Sequence, residues 1–152
     1  MTVETRKVKE VAADLAGECL AMRSRLIGRT ITSIYDDALR PIGVTAGQLN
    51  ILAVVVLREP ISPGDVAGLL NIEKSTMSRN VARMKRNGWL VIGAGESARV
   101  QELRITEAGR KILGEADPHW RAAQSRANDM VGSDGIEAIH QLADAIREQS
   151  TG

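Results

Sequence analysis

The stretch Ile61 to Thr106, ISPGDVAGLLNIEKSTMSRNVARMKRNGWLVIGAGESARVQELRIT, changes its hydrophobic period partway through, and that change decides the fold. Ser62-Pro63-Gly64-Asp65 opens a helix. Ser62 is an N-cap residue, and Pro63 fits the first helical position, where its missing N–H would be unpaired anyway. Val66, Ala67, Leu69 and Leu70 form the expected buried stripe of this helix. Asn71-Ile72 makes a turn, and a second helix is expected from Glu73 to Asn87, stopped by Gly88. After Gly88 the pattern becomes extended: Trp89-Leu90-Val91-Ile92, a turn-rich segment from Gly93 to Arg99, then Val100 to Ile105. Two such runs make a β-hairpin. Helix, turn, helix and hairpin in this order spell a winged helix-turn-helix.

The second helix carries the chemistry. On a 3.6-residue wheel Met77, Val81 and Met84 fall on one side, and Ser75, Arg79, Ala82, Arg83 and Arg86 on the other. Glu73 to Arg86 holds five basic residues, Lys74, Arg79, Arg83, Lys85 and Arg86, against one acid, in a chain with 20 Lys+Arg and 19 Asp+Glu. An ordinary amphipathic helix also has a solvated charged face, but that face is usually mixed in sign. Here small hydroxyl donors at Ser75, Thr76 and Ser78 precede the arginines at the helix N-terminus, the part that meets base edges and phosphates when a helix enters a major groove. Lys74, Ser75, Thr76, Ser78, Arg79, Arg83 and Arg86 are therefore the candidate DNA-binding residues of this helix. Arg99, near the end of the hairpin loop, is placed to enter an adjacent minor groove, where a narrow groove concentrates negative potential.

Length and composition set the frame. At 152 residues, one domain with helical extensions is the natural expectation, and a 43% hydrophobic share supplies a core. The net charge of +1 says nothing about partners; the distribution of charge does. No apolar run approaches the ~20 residues of a membrane span, and Met1 to Lys7 lacks the apolar segment of a signal peptide, so a cytoplasmic protein is expected. A single cysteine excludes an intramolecular disulfide. With Phe absent and only Tyr35, Trp89 and Trp120 as aromatics, the helices must pack through aliphatic side chains and Met.

Outside the central stretch the chain is helical. Lys7 to Leu39 reads as one long helix or two in series, with an apolar stripe of Leu15, Cys19, Met22, Leu26, Ile27, Ile31, Ile34, Tyr35 and Ala38. Arg40-Pro41-Ile42-Gly43 breaks it, and Thr45 caps a helix whose Leu49, Leu52, Ala53 and Val56 pack beneath the central pair. Gln48 and Asn50 are polar positions on that helix that either face a cavity or form a solvated face, the second being the preferred reading. Thr106 caps a further helix that continues through Trp120 to Met130, with Pro118 as a kink. Gly132 to Gly135 is the next break, and Ile136, Ile139, Leu142, Ala143 and Ile146 stripe a final helix. The ends of the chain thus carry more apolar surface than one small lobe covers, which points to a homodimer. The division expected is 1–44 and 111–152 as N- and C-terminal dimerisation segments, with 45–110 as the DNA-binding lobe.

The ordered set Leu39 to Thr45 with Gln48 and Ile51-Leu52, Val66-Ala67 with Ser75 to Arg79, Gly88, and Ile105-Thr106-Glu107-Ala108-Gly109 resembles the MarR (multiple-antibiotic-resistance regulator) family over roughly Cys19 to Leu113. The resemblance implies a mainly α fold with a hairpin wing, and a cytoplasmic homodimeric repressor that binds a pseudo-palindromic operator in double-stranded DNA and is released by a small-molecule effector or by oxidation. It places Ser75, Thr76, Ser78 and Arg79 in the recognition helix and Arg99 as the wing arginine. The family usually carries an Asp two residues before that arginine, where this chain has Ser97, and basic residues where it has Ile92 to Gly95. One branch senses hydroperoxides through a cysteine in the first helix, which makes Cys19 a candidate redox residue; Arg23, one turn on, would favour its thiolate. That branch supports its cysteine with several tyrosines, and Tyr35 is the only one here, so Cys19 reads first as a small core residue.

Other chemistries find no support. His119 and His140 are far apart with no second His or Cys at metal-ligand spacing, no phosphate loop or nucleophile motif is present, and Asp36-Asp37 diverge on a helix. No enzyme, metal or cofactor is expected. The competing reading is a winged-helix module whose basic helix docks an acidic protein instead of DNA.

Overall fold

The computed structural model describes residues 3–95 and 101–150. Two helices in series, α1 (Val3–Glu18) and α2 (Leu20–Leu39), lead through a 3-10 turn (Arg40–Ile42) into α3 (Ala46–Arg58), α4 (Pro63–Leu69) and α5 (Lys74–Arg86). An antiparallel hairpin, β1 (Leu90–Ala94) and β2 (Gln101–Ile105), follows, and α6 (Glu107–Ser150) closes the chain. This is the mainly helical winged helix-turn-helix that the sequence pattern implied.

Each boundary has a local cause. Gly43 ends the 3-10 turn at φ 72, and Thr45 starts α3 through a full capping box, its hydroxyl taking the Gln48 N–H while the Gln48 amide oxygen takes the Thr45 N–H at 3.1 Å. Gln48 is only 1% exposed, which corrects its assignment to a solvated face: the cap turns the side chain inward. Thr106 Oγ1 accepts the Gly109 N–H at 3.0 Å and donates to the Gly88 carbonyl at 2.5 Å. A Cβ on Gly109 would stand 2.2 Å from the Trp89 carbonyl oxygen, so only glycine lets α6 start this close to the end of α5.

Two clusters form the core. Ile51, Leu52, Val55, Val66, Met77, Val81, Met84, Leu90 and Leu103 seal the helix-turn-helix against the hairpin, and Leu39, Val44, Leu49 and Ala116 seal α2 and α3 against α6. Trp89, Ile112 and Leu113 touch both, so the lobe and the start of α6 are packed together. Leu69 is 51% exposed, against expectation, because Val66, Ala67 and Leu70 take the inward arc of a helix only seven residues long.

The structure departs from the sequence reading at Pro118 and in the first strand. Helix α6 runs through Pro118 with helical geometry where a kink was expected, since the carbonyl deprived of its partner belongs to Gly114 on the exposed side; the break expected at Gly132 to Gly135 stands at Gly132, with φ 74 and ψ 166. Strand β1 begins one residue later and ends two residues later than the pattern suggested, at Leu90 and Ala94, with Ala94 pairing with Gln101, while β2 ends at Ile105 as expected. Tyr35 crosses from α2 to α6, its hydroxyl donating to Gln124 Oε1 at 2.6 Å; burial raises the tyrosine pKa and keeps that proton in place.

Packing of α2 on α6 uses only part of the apolar stripe. Ile31, Ile34, Tyr35 and Ala38 are half-buried, whereas Met22, Leu26 and Ile27 are at least 50% exposed, as are Leu142 and Ile146 beyond the kink. Every described side chain of α1 from Thr5 on is exposed. Among the described residues no single helix is long and apolar enough to cross a membrane; α2 with α3 reaches that composition only across an 81° bend, and α3 is core.

Candidate nucleic-acid interface

Helix α5 is held by two matching turns. Before it, Asn71 adopts a left-handed conformation (φ 49), and the Ile72 and Asn71 N–H groups return to Ala67 and Gly68 of α4. After it, Gly88 (φ 73) does the same, with Trp89 N–H on Met84 and Gly88 N–H on Lys85. Both are Schellman closures, in which a residue free to enter the left-handed region lets the last carbonyls find donors. They fix where α5 points relative to α4 and to the hairpin.

Met77, Val81 and Met84 are the buried back of α5, at 2%, 6% and 0% exposure. Lys74, Ser75, Ser78, Arg79, Arg83 and Arg86 are all exposed, and Thr76 is half-buried. Thr76 is tied to its own helix: its hydroxyl accepts from Arg79 Nη2 at 3.2 Å, and its carbonyl accepts from Asn80 Nδ2 at 3.1 Å. Glu73 gives no side-chain cap, so the first-turn N–H groups lack a protein acceptor among the described residues and point outward beside Ser75. None of the five cations of α5 forms an ion pair among the described residues, whereas Arg40, Arg104, Arg110, Lys111, Arg121 and Arg147 all do. The helix therefore presents a wholly basic front with uncompensated charge, in a chain whose net charge is +1. Such a surface attracts a polyanion.

Beside this front lies a groove of about 470 Å³ between α5, the start of α4 and the hairpin, floored by Ala67, Met77, Val81 and Ile92. Lys74, Ser78, Lys85 and Gln101 line it. Lys85 and Gln101 were not singled out as site residues from sequence; the spacing 74, 78, 85 already puts Lys85 on the side of Lys74 and Ser78. Arg99 and Ser97 lie outside the described residues.

A second cleft, of about 380 Å³, opens between α3 and α6 and is lined by Leu49, Asn50, Ala53, Leu113, Ala116, Asp117 and Trp120. Asn50 faces this cleft, and Trp120 supplies an aromatic wall. Cys19 is half-exposed at the joint between α1 and α2, which corrects its reading as a core residue: it occupies the N-cap position of α2, with the chain turning around it. The Arg23 guanidinium is engaged by the Gly17 carbonyl, with Nε at 3.0 Å. Among the described residues no three His, Cys, Asp or Glu side chains cluster as metal ligands.

A model described as the MarR family matches residues 42–99. The chain is 32% identical to the transcriptional regulator MosR of M. tuberculosis, solved in complex with DNA, with a TM-score of 0.74 over 86% of this chain and 98% of that one. A mutant MarR from E. coli, solved with operator DNA, superposes with a TM-score of 0.76 at 15% identity, over 88% of this chain and 96% of that one, a likeness of fold alone. YwoH of Bacillus subtilis, described as an uncharacterised HTH-type transcriptional regulator, is 26% identical over 83 residues, which span 55% of this chain and 61% of YwoH.

Proposed function

This chain belongs to the MarR family, and on that premise we propose that it is a cytoplasmic homodimeric repressor that binds a pseudo-palindromic operator through α5 and is released by a small molecule. The observation that carries this reading is the front of α5: exposed basic residues without ion pairs among the described residues, beginning at open backbone amides on a helix whose back is locked into the core. Arg79 and Arg83 read base edges, Ser75, Thr76 and Ser78 with the first-turn N–H groups hold phosphate or base oxygens, and Lys74 and Arg86 neutralise the flanking backbone. Arg99 of the hairpin loop enters the neighbouring minor groove. MosR, solved in complex with DNA, supports this by its likeness over nearly its whole length.

A single recognition helix makes too few contacts for a useful specific affinity. Two helices related by a two-fold axis reach successive major grooves roughly 34 Å apart. Residues 1–44 and 111–152 supply the dimer: the open stripes of α2 and of α6 beyond Gly132 are the surfaces that a second copy covers. The cleft between α3 and α6 is the effector site of this proposal, because an occupant there shifts the lobe against the helix that carries the dimer contacts. Its lining of aliphatic groups, Asn50 and Trp120 suits a small, mostly apolar compound.

The test begins with fragments of the host genome selected by the purified protein. Binding to the selected fragment is expected to fall steeply as salt rises from 50 to 200 mM, by about a thousandfold if some six phosphates are contacted, and to exceed binding to a scrambled duplex by the same order. Equal affinity for all duplexes, or none, would replace this reading with docking of an acidic protein on α5.

A further inference from the structure

Glu59 stands where three elements meet. It ends α3, its N–H still donating to the Val55 carbonyl at 2.8 Å while its backbone turns extended. Two residues on, Ile61 bridges Leu103 of β2 in antiparallel fashion, the Leu103 N–H donating to the Ile61 carbonyl at 2.8 Å. Continued by one step, that register sets Ile105 opposite residue 59. The chain there already belongs to the end of α3, so no strand carbonyl is on offer. The Ile105 N–H donates instead to Glu59 Oε2 at 2.8 Å: a side chain stands in for the missing strand. The other carboxylate oxygen, Oε1, pairs with the guanidinium of Arg110 in the first turn of α6. The carboxylate is thus used on both oxygens by two different elements, with its side chain 21% exposed.

What it holds is the base of the hairpin and, through it, the end of α5. Next to Ile105, Thr106 donates its N–H to the Trp89 carbonyl at 3.0 Å and its hydroxyl to the Gly88 carbonyl at 2.5 Å, the two residues that close α5. A continuous run of bonds therefore joins the end of α3, β2, the end of α5 and α6, and Glu59 ties it to α3. We propose that Glu59 is a positioning residue for DNA binding: by clamping Ile105 and Arg110 to the end of α3 it sets the stance of the wing and of α5 without touching the duplex. This rests on the DNA-binding reading given above.

The experiment uses the full chain, the fragment selected by the wild type, and the variants Glu59→Gln, Arg110→Ala, Arg110→Lys and the double Glu59→Gln/Arg110→Ala. Glu59→Gln keeps an acceptor for Ile105 and loses the charge. It and Arg110→Ala are each expected to weaken binding about tenfold, the double variant no more than either, since one interaction is removed twice. Arg110→Lys recovers most of the loss, and affinity for a scrambled duplex and the salt slope stay as in wild type, because neither residue meets phosphate. Losses that multiply in the double variant, or a lowered Tm with unchanged fragment affinity, would overturn the proposal. Hydrogen exchange at the Ile105 amide gives a readout without DNA, expected to quicken about tenfold in Glu59→Gln and in Arg110→Ala. If the wild type bound no duplex, the DNA reading would fail and the clamp would be judged by exchange alone, unchanged protection refuting it.

Discussion

Arg79→Ala is expected to abolish specific operator binding while leaving the dimer and its thermal unfolding as they were. In the structure the Arg79 side chain is exposed and makes one neutral contact, with the Thr76 hydroxyl at 3.2 Å, so the fold asks little of it. Exposed substitutions of this kind change stability by no more than about 0.5 kcal/mol. On the duplex the balance reverses. A bidentate arginine–guanine pair is worth about 1–3 kcal/mol of discrimination, and a symmetric dimer loses it twice, so specific affinity falls by roughly 30-fold to ten-thousandfold. Arg99→Ala, which on the proposed reading would remove a loop contact with the minor groove, is expected to cost less than Arg79→Ala. A gel-shift series in which Arg79→Ala bound normally would remove α5 from the interface.

Leu142→Asp has the other large expected effect, on assembly. Leu142 is 64% exposed in the single chain and lies beyond the Gly132 break, on the stripe with Ile139 and Ile146. If that surface faced water, a carboxylate there would be harmless. In a dimer that covers it, two carboxylates are buried about the two-fold axis without partners, and each costs several kcal/mol. The expected result is a monomer at micromolar concentration by sedimentation, with a helical circular-dichroism spectrum like that of wild type and at least a hundredfold weaker operator binding, because the second recognition helix is no longer delivered with the first. A dimeric Leu142→Asp protein would place the interface elsewhere.

The parts of the fold legible in the sequence are those set by local chemistry. Ser62-Pro63, Asn71, Gly88, Thr106 and the Met77, Val81, Met84 spacing each act within a turn or two, and each stands in the structure where the pattern put it. Thr45 and Gln48 were equally local: a threonine three residues before a glutamine is a capping box, and reciprocity of that box is what buries Gln48. The long-range bonds were not legible. Glu59 reaches Ile105 across 46 residues, and nothing in the pattern around Arg58-Glu59-Pro60 marks that carboxylate as different from a helix-ending surface charge. The facing of Asn50 and Trp120 across one cleft depends likewise on how α3 and α6 cross, which periodicity does not specify. Pro118 misled because the cost of proline depends on whether the freed carbonyl can meet water, a matter of which face of α6 is outside.

The central claim is that two copies of α5, held at a fixed separation by the chain ends, enter consecutive major grooves. Hydroxyl-radical and guanine-methylation footprinting of the wild-type protein on its selected fragment reads this directly. The account predicts two symmetric protected segments, with their major-groove contacts about one helical turn apart on one face of the duplex, and both lost together in Arg79→Ala. A single protected segment bound by one chain, or protection that persists in Arg79→Ala, would contradict it.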